Sequence, residues 1–533
     1  MGSDGSQVAT TPSTKLTMTA PNALQGIPAS VVHLLRDAAQ NYPRHWALRF
    51  EGQRLCYADY AGIVGALAQE LRPMVAPGMR VGLLLQNSLD LAIATFAVHA
   101  LRAQVVALNP GYGERELQAM LADADVCLLI ADDSVRVDLT TVCNSLPAER
   151  ILQTGSSGCS FLRLLDSQTA LPQDLPGHAD LATLQYTGGT TGQPKGVDIS
   201  HGHLAANLLQ REARLPTRPG QEVVLCPMPL FHVSAVAMCL HLSAFAASEL
   251  IIQRRFDAGS TVHALAHEGV TLMSGAPAIF HDLLRQPDIE QVKAGKLRAC
   301  YSGAAALPER TLREFERLTG CPIYEGYGQS EAGPCLTYNP VQGVRKPGSV
   351  GLPVPGCELR IVDEQGNDVP AGAVGEICVR GPQVMAGYRN RPDLTQQMLR
   401  DGWLYTGDLA SQDEDGYVFI QGRCQETINV GGFKVYPLEV EQTLRECASV
   451  GDCAAFGVPD ERLGQVVHAW VTPAPGCTPD EQALRAYCAS QLAHYKTPRR
   501  IAITDALPRT VVGKLARKEL KPVGAVIAPR SAT

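Results

Sequence analysis

The chain has no Cys-x-x-Cys pair, no surplus of positive charge and no apolar leader, and each absence removes a class of protein. Its 16 cysteines stand singly, from Cys56 to Cys488. That spacing argues against a zinc site or a disulfide framework and for a reducing, cytoplasmic setting. A net charge of −7 leaves no basic footprint for nucleic acid. Residues 1–20 are polar and rich in Ser and Thr, so they read as a disordered head and not as a secretory signal. The stretch Met1-Gly2-Ser3-Asp4-Gly5-Ser6 fits the loose N-myristoylation pattern, which short sequences meet by chance. The terminal Ser531-Ala532-Thr533 is not the peroxisomal Ser-Lys-Leu. One long apolar run exists, Val233 to Ile252, but it holds His241, Glu249 and three serines and is rich in alanine. A hydrocarbon-spanning helix is usually richer in Leu, Ile and Phe, so the run predicts a helix and strand buried in a large core.

What is present is an ordinary globular composition, 45% hydrophobic and 19% charged. At 533 residues the chain is too long for a single core and predicts several domains. Its most distinctive stretch is Thr187-Gly188-Gly189-Thr190-Thr191-Gly192-Gln193-Pro194-Lys195-Gly196. Glycines free backbone N–H groups to turn toward an anion, threonine hydroxyls add donors, and Lys195 supplies a compact positive charge. A polyphosphate suits such a loop. It is not a Walker A loop, because the lysine follows Gln-Pro and no Ser or Thr follows it.

Around this loop the sequence alternates. Arg80 to Gln86 reads as a strand, Leu89 to Leu101 as a helix, Gln104 to Leu108 as a strand, Glu114 to Ala122 as a helix and Val126 to Ala131 as a strand. Apolar strands separated by helices predict a parallel sheet covered on both faces. The alternation returns from Glu222 to Ser302, which predicts a second such layer system. Ala47 to Phe50 and Leu55 to Tyr57 flank Glu51-Gly52 as a hairpin. From about Gly348 short β pieces punctuated by Gly and Pro predict a β-rich subdomain, and beyond Gly422 a compact α+β unit follows. The fold class is therefore α/β: two doubly wound α/β subdomains plus a β-rich subdomain, then a small α+β C-terminal unit.

Further motifs follow in order. They are Tyr324-Glu325-Gly326-Tyr327-Gly328-Gln329-Ser330-Glu331-Ala332-Gly333-Pro334, Gly402-Trp403-Leu404-Tyr405-Thr406-Gly407-Asp408, Gly422-Arg423, Gly431-Gly432-Phe433-Lys434-Val435-Tyr436-Pro437, and Pro508-Arg509-Thr510-Val511-Val512-Gly513-Lys514. With the glycine-rich loop, this order resembles the adenylate-forming superfamily of acyl-CoA synthetases, peptide-synthetase adenylation domains and beetle luciferases. The resemblance runs from about residue 30 to residue 520.

The resemblance implies a large AMP-binding domain over 21–423 and a small mobile domain over 424–533 that carries a catalytic lysine. It also implies two half-reactions: a carboxylate attacks the α-phosphate of ATP to give an acyl-adenylate and pyrophosphate, and a thiol then takes the acyl group. Bringing a carboxylate to a triphosphate requires charge neutralisation and positioning, which explains the residue types. By resemblance Lys514 bridges the carboxylate and α-phosphate, Glu331 holds magnesium, and Thr187 to Gly192 with Lys195 cradle the phosphates. Asp408 takes both ribose hydroxyls with Arg423 beside it, Tyr327 and Gly328 lie against the adenine, and Ser330 reaches the α-phosphate. Gly303-Ala304-Ala305 line the other face of the base, in an alanine-rich loop that leaves backbone contacts only. Gly431, Gly432 and Lys434 resemble the border of the coenzyme A channel, although Gly-Gly also suits a hairpin turn. Gln425 stands where the family usually has Asp or Lys at the hinge; the swing is expected to persist without the charge, since a hinge needs φ/ψ freedom.

The acyl pocket is expected around His232 as a gate, with Val233 and Val236 on one wall and Gly328 and Ala332 on the other. No Arg or Lys falls in these stretches to pair a second carboxylate, which favours a hydrophobic monocarboxylic acid, medium- or long-chain fatty before aromatic. The leading expectation is an ATP-dependent acyl-CoA ligase using magnesium and coenzyme A. An aryl-acid CoA ligase comes next, then an enzyme loading a carrier-protein thiol, for which no carrier domain is expected on the same chain. Expected partners are small molecules and no nucleic acid. Monomer and homodimer both stay open, and a greasy substrate is compatible with peripheral membrane contact.

Overall fold

The computed structural model describes residues 26–143, 146–187, 195–510 and 515–522. The loop residues Gly188, Gly189, Thr190, Thr191 and Gly192, the lysine Lys514, and the N-terminal head with its Gly2 lie outside them. The chain is α/β with mixed sheets, and two large sheets organise its first 390 or so residues.

The first sheet has seven strands in the order Gly387–Tyr388, Lys195–Ser200, Leu181–Thr187, Gln104–Ala107, Arg80–Leu84, Leu128–Asp132 and Ile151–Thr154. Five run parallel, and the two at the Lys195 edge are antiparallel. Strand residues such as Val81, Leu83, Leu128 and Ile130 are essentially inaccessible, as a sheet covered on both faces requires.

The second sheet has nine strands, with a parallel centre of Ile323–Gly328, Ala299–Ser302, Leu272–Gly275, Val223–Cys226 and Glu249–Ile252. The expected hairpin forms as Trp46–Phe50 and Gln53–Cys56, and it joins this sheet, with Leu48 opposite Leu250. Local sequence cannot show that pairing. Tyr57, expected at the end of a strand, instead opens the helix Tyr57–Leu71.

The run Val233 to Ile252 is buried helix and strand, as its composition predicts. It comprises Val233–Ala235, a wide π turn over Val236–His241, Leu242–Phe245, and the strand Glu249–Ile252. Buried Glu249 is neutralised by Arg49 Nε at 2.9 Å and Arg54 Nε at 2.7 Å. No helix among the described residues is long and apolar enough to cross a membrane.

A five-stranded sheet from Glu358 to Arg423 follows. After a short turn at Cys424–Glu426 a separate five-stranded sheet begins at Ile428, with its own core around Val435, Val440, Leu444, Val467 and Leu484. All sixteen cysteines are unpaired.

Candidate active site

The candidate residues collect at the carboxyl ends of the parallel strands of the second sheet, where α/β sheets open a crevice. Ala299–Ser302 and Ile323–Gly328 run side by side, so the Gly303-Ala304-Ala305 loop and the Tyr327-Gly328 corner emerge next to each other. Ala304 holds φ +71°, a left-handed conformation that costs a non-glycine residue about 1–2 kcal/mol. The loop is pinned from below: Leu307 N–H donates to Glu325 Oε1 at 2.8 Å. Glu325 is buried, and burial raises its carboxyl pKa to about 8. Gly328 must be glycine, because a Cβ there would run into the Pro334 carbonyl.

Asp408 lies on the strand Trp403–Gln412 directly opposite Arg423 on Val418–Arg423. Its buried carboxylate takes Arg423 Nε at 3.0 Å and the Tyr327 hydroxyl at 2.6 Å. Burial, and then the Asp408 charge, push the Tyr327 phenol well above its ordinary range, so it stays a donor.

A second cluster forms around Glu331, in the short turn Ser330–Ala332. Glu331 Oε1 accepts the Tyr388 hydroxyl at 2.8 Å, and Lys195 Nζ stands 5.7 Å from the Tyr388 ring centre. Thr187 and Lys195 face each other across the two strands that close the glycine-rich loop. Tyr388 pairs with Val197 on the same edge, so the stem of the glycine-rich stretch and the Glu331 turn are held together through it. Sequence reasoning missed Tyr388 and Glu325. Glu325 lay inside a recognised motif, whereas nothing local marked Tyr388.

Two cavities lie in the region where the acyl pocket is expected. A narrow cavity is lined by Leu230, Val233 and Val236, with Gln185 opposite; His232, Gly328 and Ala332 do not line it. His232 instead caps its helix, its Nδ1 bonding Ser234 Oγ at 2.8 Å. A second cavity lies across the wide turn, between Ala237, Met238, Gly333 and Cys335. His241 borders both and is kept neutral, burial lowering its pKa to about 3.

In the small domain Gly431 and Gly432 have φ of +60° and +88° and form the two-residue turn of a hairpin. Backbone geometry alone accounts for both glycines there. Lys434 reaches the turn after the strand Glu358–Val362, its Nζ 2.5 Å from Glu364. Gln425 is exposed in the turn between the two sheets.

Paired strands that close a glycine-rich stretch beside the Glu331 turn, and a buried Asp408 held by Arg423 and Tyr327 at the strand ends, fit a nucleotide-handling α/β enzyme. The model of the AMP-binding enzyme family matches residues 35–389, and that of the AMP-binding enzyme C-terminal domain matches 439–514. The chain belongs to the AMP-binding enzyme family. It is 34% identical over 522 residues to a long-chain-fatty-acid–CoA ligase of Bacillus subtilis (strain 168), covering 91% of this chain and 93% of that one. It is 35% identical to a feruloyl-CoA synthase of Amycolatopsis, covering 91% and 96%. The ATP-bound crystal structure of MatB from Rhodopseudomonas palustris superposes with a TM-score of 0.86 at 30% identity, covering 92% and 97%. These relatives establish an AMP-forming acid–CoA ligase built from a large N-terminal and a small C-terminal domain.

Proposed function

We propose that the chain adenylates a hydrophobic carboxylic acid with ATP and transfers the acyl group to coenzyme A. The observation that carries this reading is a pair of neighbouring clusters, Asp408–Arg423–Tyr327 and Glu331–Tyr388–Lys195, close enough for the Arg423 charge to act on both Tyr388 and Glu331. Asp408 orients the ribose, Tyr327 and the Gly303-Ala304-Ala305 loop enclose the base, and Ser330 and the glycine-rich stretch hold the phosphates. The acid's oxygen attacks the α-phosphorus as the bond to pyrophosphate breaks, and Lys514 offsets the charge of the approaching carboxylate. The coenzyme A thiol then attacks the carbonyl and AMP leaves, with Gly431, Gly432 and Lys434 beside its path and Gln425 in the hinge.

Glu331 fits a magnesium ligand: among the described residues its Oε2 has no partner, and oxygen from one carboxylate plus phosphate is what this ion takes. When bound, magnesium supplies neutralisation of phosphate charge. The cavity at Leu230, Val233 and Val236 favours an aliphatic tail. An aromatic acid is the second reading, because relatives named for feruloyl and indoleacetate substrates are 35% and 34% identical. AMP release across fatty acids of graded length, benzoate and cinnamate tests this. A fatty-acid optimum is expected; an aromatic optimum replaces the first reading with the second.

A further inference from the structure

The stretch Met385 to Asn390 lies in none of the motifs above, yet it straps the Glu331 turn to the strands that close the glycine-rich stretch. At its start Met385 N–H donates to the Glu331 carbonyl at 2.8 Å. Gly387–Tyr388 then adds an edge strand beside Asp198 and Val197. Arg389 N–H donates to the Gly196 carbonyl at 2.8 Å. Asn390 Nδ2 donates to Asp123 Oδ1 at 3.1 Å. The other oxygen of Asp123 accepts the hydroxyl of Tyr186, which faces Gly196 across the two strands, at 2.7 Å. Gly387 has φ +157°, and a Cβ there would stand 2.8 Å from Thr395 Cγ2, so glycine lets the helix Pro392–Met398 close onto the strap. Thr395 Oγ1 in turn accepts the Tyr388 N–H at 2.9 Å.

From this strap Tyr388, itself buried, reaches two functional residues at once. Its hydroxyl donates to Glu331 Oε1 at 2.8 Å, and its ring centre lies 5.7 Å from Lys195 Nζ. A short turn does little to fix a flexible glutamate side chain, whereas a bond to one carboxylate oxygen removes much of its freedom. A phenol is also a neutral donor, so it orients the carboxylate without cancelling the charge that a divalent cation needs. A lysine or arginine in its place would pair with the carboxylate and compete with the metal. The ring face attracts the Lys195 ammonium without using its N–H donors, which suit phosphate oxygens.

We propose that Tyr388 is a positioning residue for magnesium-bound ATP: its hydroxyl holds Glu331 Oε1 and leaves Oε2 for the metal, while its ring keeps Lys195 beside the phosphates. This rests on the ligase reading above and adds to it a residue that acts through Glu331 and Lys195.

The test measures ATP binding to the full-length protein by titration calorimetry with no acid present, once in excess magnesium and once in EDTA. The readout is the factor by which magnesium tightens binding. Losing the hydrogen-bond partner of a ligating carboxylate weakens metal binding by about tenfold or more, so Tyr388→Phe should lower that factor about tenfold and leave the Kd in EDTA unchanged. Glu331→Gln should lower it as well, and adding Tyr388→Phe to Glu331→Gln should lower it no further, because the hydroxyl acts through Glu331. Tyr388→Leu, which also removes the ring, should weaken binding in EDTA through Lys195. Thermal melts check that the variants fold; if Tyr388→Leu does not, Tyr388→Phe, which keeps ring and strand, decides alone. An unchanged magnesium factor in Tyr388→Phe, equal weakening with and without magnesium, or an additive loss in the double variant overturns the proposal and makes the hydroxyl structural, with the ligase reading intact. Wild-type protein that binds no ATP overturns the ligase reading itself, and this proposal with it.

Discussion

Asp408 and Arg423 face each other across neighbouring strands, and the 3.0 Å contact between them fixes a buried carboxylate. The Tyr327 hydroxyl, 2.6 Å away, ties the Ile323–Gly328 strand end to the same carboxylate. Asp408→Ala removes the proposed ribose acceptor. Hydrogen bonds to charged groups contribute about 1.5–3 kcal/mol each, so the KM for ATP should rise about tenfold to a hundredfold. Steady-state kinetics in ATP check this, and an unchanged KM would remove Asp408 from the nucleotide site.

Lys514 is proposed to act only while the carboxylate approaches the α-phosphate. Lys514→Ala should abolish adenylate formation yet largely spare thioester formation from supplied acyl-adenylate. Single-turnover assays of each half-reaction separate the two. Equal loss in both would make the lysine structural.

How much of this was legible in the sequence depends on how local the cause was. The strand–helix alternation from Arg80 to Ala131 was readable because each apolar strand is buried on both faces and leaves a continuous hydrophobic run. Glu331, Asp408 and Arg423 were readable because they sit in compact motifs. Tyr388 was not, since its meaning comes from a strand pairing that joins residues 197 and 388. The helix His201–Arg214 was hidden for another reason: its core face carries His, Asn, Gln and Arg, which breaks the apolar period. The linings of the two cavities were legible only in part, because the wide turn at Val236–His241 lies between them.

The hinge proposal rests on backbone freedom at Gln425, exposed between the last two sheets. Gln425→Pro fixes φ there and should leave adenylate formation standing while thioester formation falls by about tenfold or more. Normal thioester formation in this variant would contradict a swing at Gln425.

Glu325 makes stability depend on pH. Its pKa rises on folding from 4.5 to about 8, with burial the main cause. Between those values the native state holds a proton that the unfolded chain has released, so stability falls as pH rises, by about 1.4 kcal/mol per unit. The loss is complete above about pH 8. Glu325→Gln keeps an acceptor for the Leu307 N–H and should flatten the wild-type decline between neutral and mildly alkaline pH. Denaturant melts at several pH values check it; parallel curves for the two proteins would show that Glu325 ionises freely in the folded state.

The central claim is that this enzyme joins an acid to coenzyme A at the expense of ATP. The most direct measurement follows AMP and acyl-CoA together in one reaction containing ATP, magnesium, coenzyme A and the best acid of the panel. The account predicts that the two products appear in equal amounts, and that neither accumulates when the acid or coenzyme A is left out. ADP in place of AMP, or full AMP turnover without coenzyme A, would contradict it.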